Sequence, residues 1–270
     1  MKKLISAALI SMFVGFAVSA NAGLFEDGVA AYERKEYVTA VKLFRVSADQ
    51  GHAKAQSNLG SMYYKGQGVT QDYKEAVKWY RLAADQGDAI AQVNLGMRYD
   101  EGRGVIQDTK EAARWYRLSA DQGNAKAQLL LGMMYKQGQG VTQDYKEAVK
   151  WYRLAADQGN AIAQVNLGFM YEKGQGVTQD YKEAVKWYRL SADQGDALAQ
   201  SNFGSMYANG QGVTQDYVRA HMWFNISASS GHENAEANRD IIAKRMTPTQ
   251  IEKAQEMARR CQSSKFKNCD

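Results

Sequence analysis

The 270-residue chain is 45% hydrophobic and 23% charged, so it carries enough apolar side chain for a packed core and is not a disordered tail. Its formal charge of +5 is mixed with acids in every segment, without the concentrated basic stripe that marks a nucleic-acid binder. A single proline, Pro248, stands in the whole chain, which favours helix almost everywhere.

Residues 1–22 read as a leader. Lys2 and Lys3 are followed by an apolar run from Leu4 to Val18 and then by the small-x-small sequence Ala20-Asn21-Ala22. That order suits a secretory signal cleaved after Ala22. The run is short for a membrane span and no second one follows, so no integral membrane segment is expected after cleavage. The mature chain is expected in a bacterial periplasm or outside the cell.

Beyond the leader, one period organises the chain. Asp49-Gln50-Gly51, Asp85-Gln86-Gly87, Asp121-Gln122-Gly123, Asp157-Gln158-Gly159 and Asp193-Gln194-Gly195 recur every 36 residues, with a degraded copy at Ser230-Gly231. Trp79, Trp115, Trp151, Trp187 and Trp223 keep the same step, and residues 69–87 and 141–159 are identical. In 88–123, Ala89, Ala91, Gln92, Leu95, Gly96 and Tyr99 mark one helix face. Gly102 is placed to cap that helix, Gly104 to turn the chain and Val105 to plug the gap between helices. Asp108 with Glu111 predicts a capping-box-like start for a second helix that carries Ala112, Ala113, Trp115, Tyr116 and Ala120. A lone hairpin cannot cover its apolar face, so successive hairpins must stack into a solenoid.

This reading divides the chain into a tetratricopeptide-like hairpin at 23–51, five full repeats at 52–231, and a capping hairpin and tail at 232–270. Tyr32, Tyr37, Ala40 and Phe44 form the expected core of the first hairpin. Thr247-Pro248-Thr249-Gln250 opens the last helix with a capping threonine and a proline in the first turn. Cys261 and Cys269 lie close together near the C-terminus, where a disulfide is expected in an oxidising compartment. So short a loop contributes about 2–3 kcal/mol and pins the tail. A zinc pair is the alternative, but no histidine lies nearby to complete it.

The recurring pattern A-x-A-Q-x-x-L-G-x-x-Y-x-x-G-x-G-V-x-x-D-x-x-x-A-x-x-W-Y-R-x-A-A-x-Q-G resembles the SEL-1-like repeat family, relatives of tetratricopeptide repeats, over nearly all of the mature chain. The resemblance implies an all-α fold, a right-handed α-solenoid with a concave inner surface. It also implies an adaptor or scaffold role; exported bacterial members of the family act in signalling control, envelope homeostasis and host-cell interaction. A cysteine-rich branch is described as penicillin-binding or weakly β-lactamase-like, but the repeats here contain no cysteine.

No residue pattern demands chemistry, and neither enzyme activity nor a cofactor or metal is expected. His52 and His232 follow the repeat glycine, where Asp88, Asn124, Asn160 and Asp196 stand in other units, so both read as helix-start residues. His221 replaces a valine or alanine and reads as part of a modified terminal interface. The G-x-G loops follow helices and lack a Walker lysine. The Trp-Tyr pairs, repeated from unit to unit, read as packing rather than a platform for sugars or bases.

Shared positions should build the solenoid and variable ones should be free to suit a partner. On the first helices the variable positions form a stripe: Ile90, Val93, Met97 and Asp100; Leu129, Met133 and Lys136 after Lys126; Val165, Phe169 and Glu172 after Ile162. Serines take the third place at the array ends, as Ser61 and Ser205. The stripe either lines a groove for an extended or helical peptide or packs against the preceding unit's second helix. The expected function is a protein–protein interaction scaffold of the bacterial envelope, binding a protein or peptide without catalysis. The alternatives are a regulator or inhibitor of an envelope enzyme or sensor, and a β-lactamase-like or penicillin-binding hydrolase. Near-identical repeats also leave self-association open.

Overall fold

The computed structural model describes residues 23–267 and 269; the expected signal segment 1–22 lies outside them. The described residues form helices and turns with no strand. They fall into two compact units, one ending at Asn124 and one beginning at Ala125. The first holds α1 (23–33), α2 (Tyr37–Asp49), α3 (Ala53–Lys65), α4 (Tyr73–Asp85), α5 (Ala89–Glu101) and α6 (Thr109–Asp121). The second holds α7 (Ala125–Gln137), α8 (Tyr145–Asp157), α9 (Ala161–Lys173), α10 (Tyr181–Ala192), α11 (Ala197–Asn209), α12 (Tyr217–Ser229), α13 (Ala235–Ala243) and α14 (Pro248–Ser263). Within each unit, hairpins of about 36 residues pack one upon the next, as the period predicts.

The punctuation of each hairpin follows from its sequence. Gly102 ends α5 in the left-handed conformation at φ 67°, where a side chain is disfavoured. The second loop glycine has a different task. A Cβ on Gly104 would lie 2.2 Å from the Tyr73 carbonyl oxygen at the start of α4, so the loop rests directly on the backbone of the preceding hairpin. Val105 is partly buried beside it, as expected. The Asp108 carboxylate accepts from the Lys110 and Glu111 amides, both at 3.0 Å. The expected reciprocal bond is absent, because Arg114 holds Glu111 and the Asp108 N–H donates to the Tyr99 carbonyl at 2.9 Å instead. A complete capping box does form at Thr247 and Gln250.

His52 caps α3 through Nδ1, which accepts from the Ala55 amide at 3.2 Å. His232 does not act likewise: α13 starts only at Ala235, and His232 Nδ1 has no hydrogen-bond partner. The closing turn itself is kept, with the His232 amide on the Ser227 carbonyl at 3.2 Å; an added turn at Glu233 and Asn234 delays the helix.

Two packing devices join the helices. Inside these hairpins an aromatic ring packs on a glycine of the first helix, Phe44 on Gly28, Phe224 on Gly204 and a tyrosine in the others; a Cβ on Gly96 would sit 2.7 Å from the Tyr116 ring. Between hairpins, a buried glutamine bridges three helices. Gln92 on α5 donates to the Ala84 carbonyl at the end of α4 (3.2 Å) and accepts from Gln122 after α6 (2.7 Å). Gln56 repeats this with Ala48 and Gln86, and Gln164 with Ala156 and Gln194. Tryptophans add apolar contact across the same joints, with Trp79 in the core shared by α2 and α3 and Trp115 in the core shared by α4 and α5.

In the second unit α13 and α14 close over α12. Met222, Trp223 and Ile226 of α12 are buried with Ala254, Ala258 and Cys261 of α14. Cys261 and Cys269 are joined as a disulfide, as expected. His221 is also buried there, and burial together with the nearby Arg239 guanidinium holds its imidazole below the ordinary value.

Gly96→Ala is expected to lower stability by about 1–3 kcal/mol, because Tyr116 must leave its site to admit a methyl; a urea-midpoint shift measures it. His221 generates a second expectation. A depressed imidazole is neutral in the fold, so its contribution is full above about pH 6.5 and is lost as pH falls through that value toward the lower folded one. The thermal midpoint should therefore drop on acidification below pH 6.5, and His221→Val should flatten that part of the profile.

Candidate partner-binding surface

The variable stripe divides by burial. Val93, Leu129 and Val165 are only 3%, 7% and 5% exposed, so they are core residues and not partner contacts. Ser57 and Ser201 at the same register are buried as well. Leu129 joins Tyr152 and Leu167 in one cluster, and Val165 joins Tyr188 and Phe203 in the next. This edge of the helix faces its own hairpin partner and the hairpin that follows, a side that a three-four-three step does not disclose.

The other positions remain accessible. Ile90 is 60% exposed, and Met97, Asp100, Met133, Lys136, Phe169 and Glu172 are half-buried. Ile90, Met97 and Asp100 belong to the first unit. Burial and the neighbouring Glu101 raise the Asp100 carboxyl above its ordinary value. In the second unit the Lys136 ammonium lies 4.6 Å from the Phe169 ring centroid, and Lys173 approaches the same ring at 5.7 Å. Partial burial lowers the Lys136 ammonium. Glu172 pairs with Lys173 at 2.5 Å and accepts from the Tyr188 hydroxyl at 2.7 Å. The arrangement is a half-buried aromatic ring with cations over it and one carboxylate beside it.

The Trp-Tyr pairs, from Trp79-Tyr80 to Trp187-Tyr188, are buried, and arginines pack on the tryptophans together with tyrosines of the first helices. Arg81 donates to the Tyr99 hydroxyl and lies 6.0 Å from the Trp115 ring centroid, and Arg45 and Arg153 make the same pair of contacts with Tyr63 and Trp79 and with Tyr171 and Trp187. Among the described residues no three His, Cys, Asp or Glu side chains converge as a metal site would require.

One group escaped the sequence reading. Arg98 stands where other units have Met62, Met134, Met170 and Met206, and it is 3% exposed. Its guanidinium stacks 3.8 Å from the Tyr64 ring centroid and pairs with Glu101 at 3.2 Å, but Nε and Nη1 have no hydrogen-bond partner. Comparing units at the methionine register would have exposed it.

Equivalent hairpins joined by the same buried contacts, with varied side chains left at the surface, define an all-α repeat scaffold. A Sel1 repeat model matches residues 22–52, 53–88, 89–124, 125–160, 161–196 and 197–232. The chain belongs to the Sel1 repeat family, whose members are generally non-catalytic scaffolds for protein interactions. It is similar to a Sel1 repeat protein of Oxalobacter formigenes, with 35% identity and a TM-score of 0.78 over 87% of this chain and 99% of that one. It is also similar to c5321, a protective antigen of uropathogenic Escherichia coli with an SLR fold, with 38% identity and a TM-score of 0.82 over 94% of this chain. The chain spans 56% of that protein's length. A 35-residue stretch is 63% identical to an uncharacterized protein of Neisseria meningitidis, 8% of whose length it covers.

Replacing Arg98 by the methionine used in the other units removes a buried charge with unpaired donors. Arg98→Met is expected to stabilise the protein by about 1 kcal/mol, read as a higher thermal midpoint. A lower midpoint would show that stacking on Tyr64 outweighs the desolvated charge.

Proposed function

We propose that the protein is an interaction scaffold of the bacterial envelope, holding a protein or peptide on the accessible part of the variable stripe without catalysis. The observation that carries this reading is the split between constant and variable positions. Residues shared by the units are spent on caps, loops and joints, whereas Met97, Met133 and Phe169 vary between units and stay half-exposed. Methionine adapts to irregular surfaces, and aromatic side chains are enriched where proteins meet. Placement in the envelope rests on the leader-like residues 1–22. Among the described residues no helix is long and apolar enough to cross a membrane.

In affinity capture from envelope extracts, the Met133→Glu, Phe169→Glu double variant should lose a partner that the wild type retains, with circular dichroism showing both proteins folded. Equal capture by both would remove the stripe from consideration. Export is tested by the mass of the mature protein, which should begin at Gly23.

A further inference from the structure

A cavity of about 200 Å³ lies between α1 and α3, lined by Val29, Tyr32, Phe44, Asn58, Ser61 and Lys65. It exists because the third stripe position is small here. Ser61 takes the place that Met97, Met133 and Phe169 fill with bulk in the following hairpins. A second cavity of about 190 Å³ opens beside Ser205, the other serine at that register, but toward the helices that follow it, α12 and α13. The two differ in chemistry. The cavity beside Ser205 has no charged group among its described lining residues, whereas Lys65 places an ammonium on the rim of the first. The larger depression between α12 and α14 sets Asp216 and Glu256 against its cations, and Asp216 already holds Arg219 at 2.8 Å, leaving little charge to spare.

Inside the first cavity the floor is apolar, formed by Val29 and the buried Phe44 ring. The Ser61 hydroxyl is occupied, donating to the Ser57 carbonyl at 3.2 Å and accepting from Tyr80 at 3.1 Å. The Tyr32 hydroxyl donates to Gln67 at 3.1 Å. The Asn58 amide and the Lys65 ammonium are the groups left to meet a ligand. A cavity of 150 Å³ lined by apolar side chains accepts benzene, so this one has room for an aliphatic or aromatic side chain. An ammonium beside an amide at its mouth favours a carboxylate.

We propose that this socket takes the C-terminal residue of a partner chain, its apolar side chain against Val29 and Phe44 and its free carboxylate against Lys65 and Asn58. The proposal rests on the scaffold reading and names one chemistry of its partner. No other segment of a polypeptide carries an apolar side chain and a carboxylate on the same residue.

The test is a nuclear magnetic resonance titration of the mature, isotope-labelled chain with N-acetyl-L-leucine and with N-acetyl-L-leucine amide. The acid should produce saturable shifts in the amides around Asn58–Lys65 and bind about tenfold more tightly than the amide. Lys65→Gln should bring the acid down to the amide's affinity, and Ser61→Phe, which fills the hollow, should abolish both. Equal binding of acid and amide to the wild type, shifts that persist in Ser61→Phe, or no saturable shift at all would each overturn the socket. None of those results touches the stripe, whose failure is read separately from retained capture by the Met133→Glu, Phe169→Glu variant.

Discussion

The buried glutamine amide at the joints within each unit is the interaction on which the rest of the structure depends. An amide removed from water must find partners for its donors and its acceptor, and leaving one unpaired costs about 1–3 kcal/mol. Gln92 satisfies this only when α4, α5 and α6 are all in place, because its partners are the Ala84 carbonyl and the Gln122 amide. The Ala84 carbonyl lies at the end of α4, where it also accepts from the Gly87 amide at 2.9 Å. One side chain thus joins two hairpins and ties the closing turn of its own hairpin. Chains built this way gain stability from nearest neighbours and little from a single hairpin alone.

Close approach does the remaining work. Glycine under the tyrosine ring lets the two helices of a hairpin meet at backbone distance, and the second loop glycine lets the next hairpin sit on the Tyr73 carbonyl. Arginines after the Trp-Tyr pair reach forward to the tyrosine and tryptophan of the following hairpin. With these positions committed, the units differ on the first helices, at buried positions such as Val93 and Leu129 and on the accessible side. That side is where Met133, Phe169 and Lys136 gather, and where serine in place of a large residue leaves a hollow. The same economy explains why a scaffold of almost identical units can still present distinct chemistry along its length.

Much of this was legible in the residues. The 36-residue step, the capping aspartates, the glycine helix ends and the Cys261–Cys269 pairing follow from spacing and local conformational rules that act within a few residues. What was not legible depends on partners far away in sequence. The Gln92–Gln122 bond joins residues 30 positions apart, and a polar residue on an apolar face does not announce its partner. Val93, Leu129 and Val165 went wrong for a related reason: a helix stripe shows which residues share a face, and burial is decided by neighbours the stripe does not contain. Glu111 failed to close its box because Arg114 competes for the carboxylate. Arg98 was legible in principle, through comparison with four methionines, yet its stacking on Tyr64 was not.

If each repeat is an equivalent unit held by the same joints, removing one whole unit should let its neighbours rejoin. Excision of residues 53–88 brings His52 against Ala89 in sequence and offers the Ala48 carbonyl to Gln92 in place of Gln56. Far-ultraviolet circular dichroism of the excised protein measures this directly. The account predicts an unchanged helical signal per residue and a cooperative melt at somewhat lower temperature. Loss of helical signal throughout the chain would show that the fold depends on contacts beyond nearest neighbours and would contradict it.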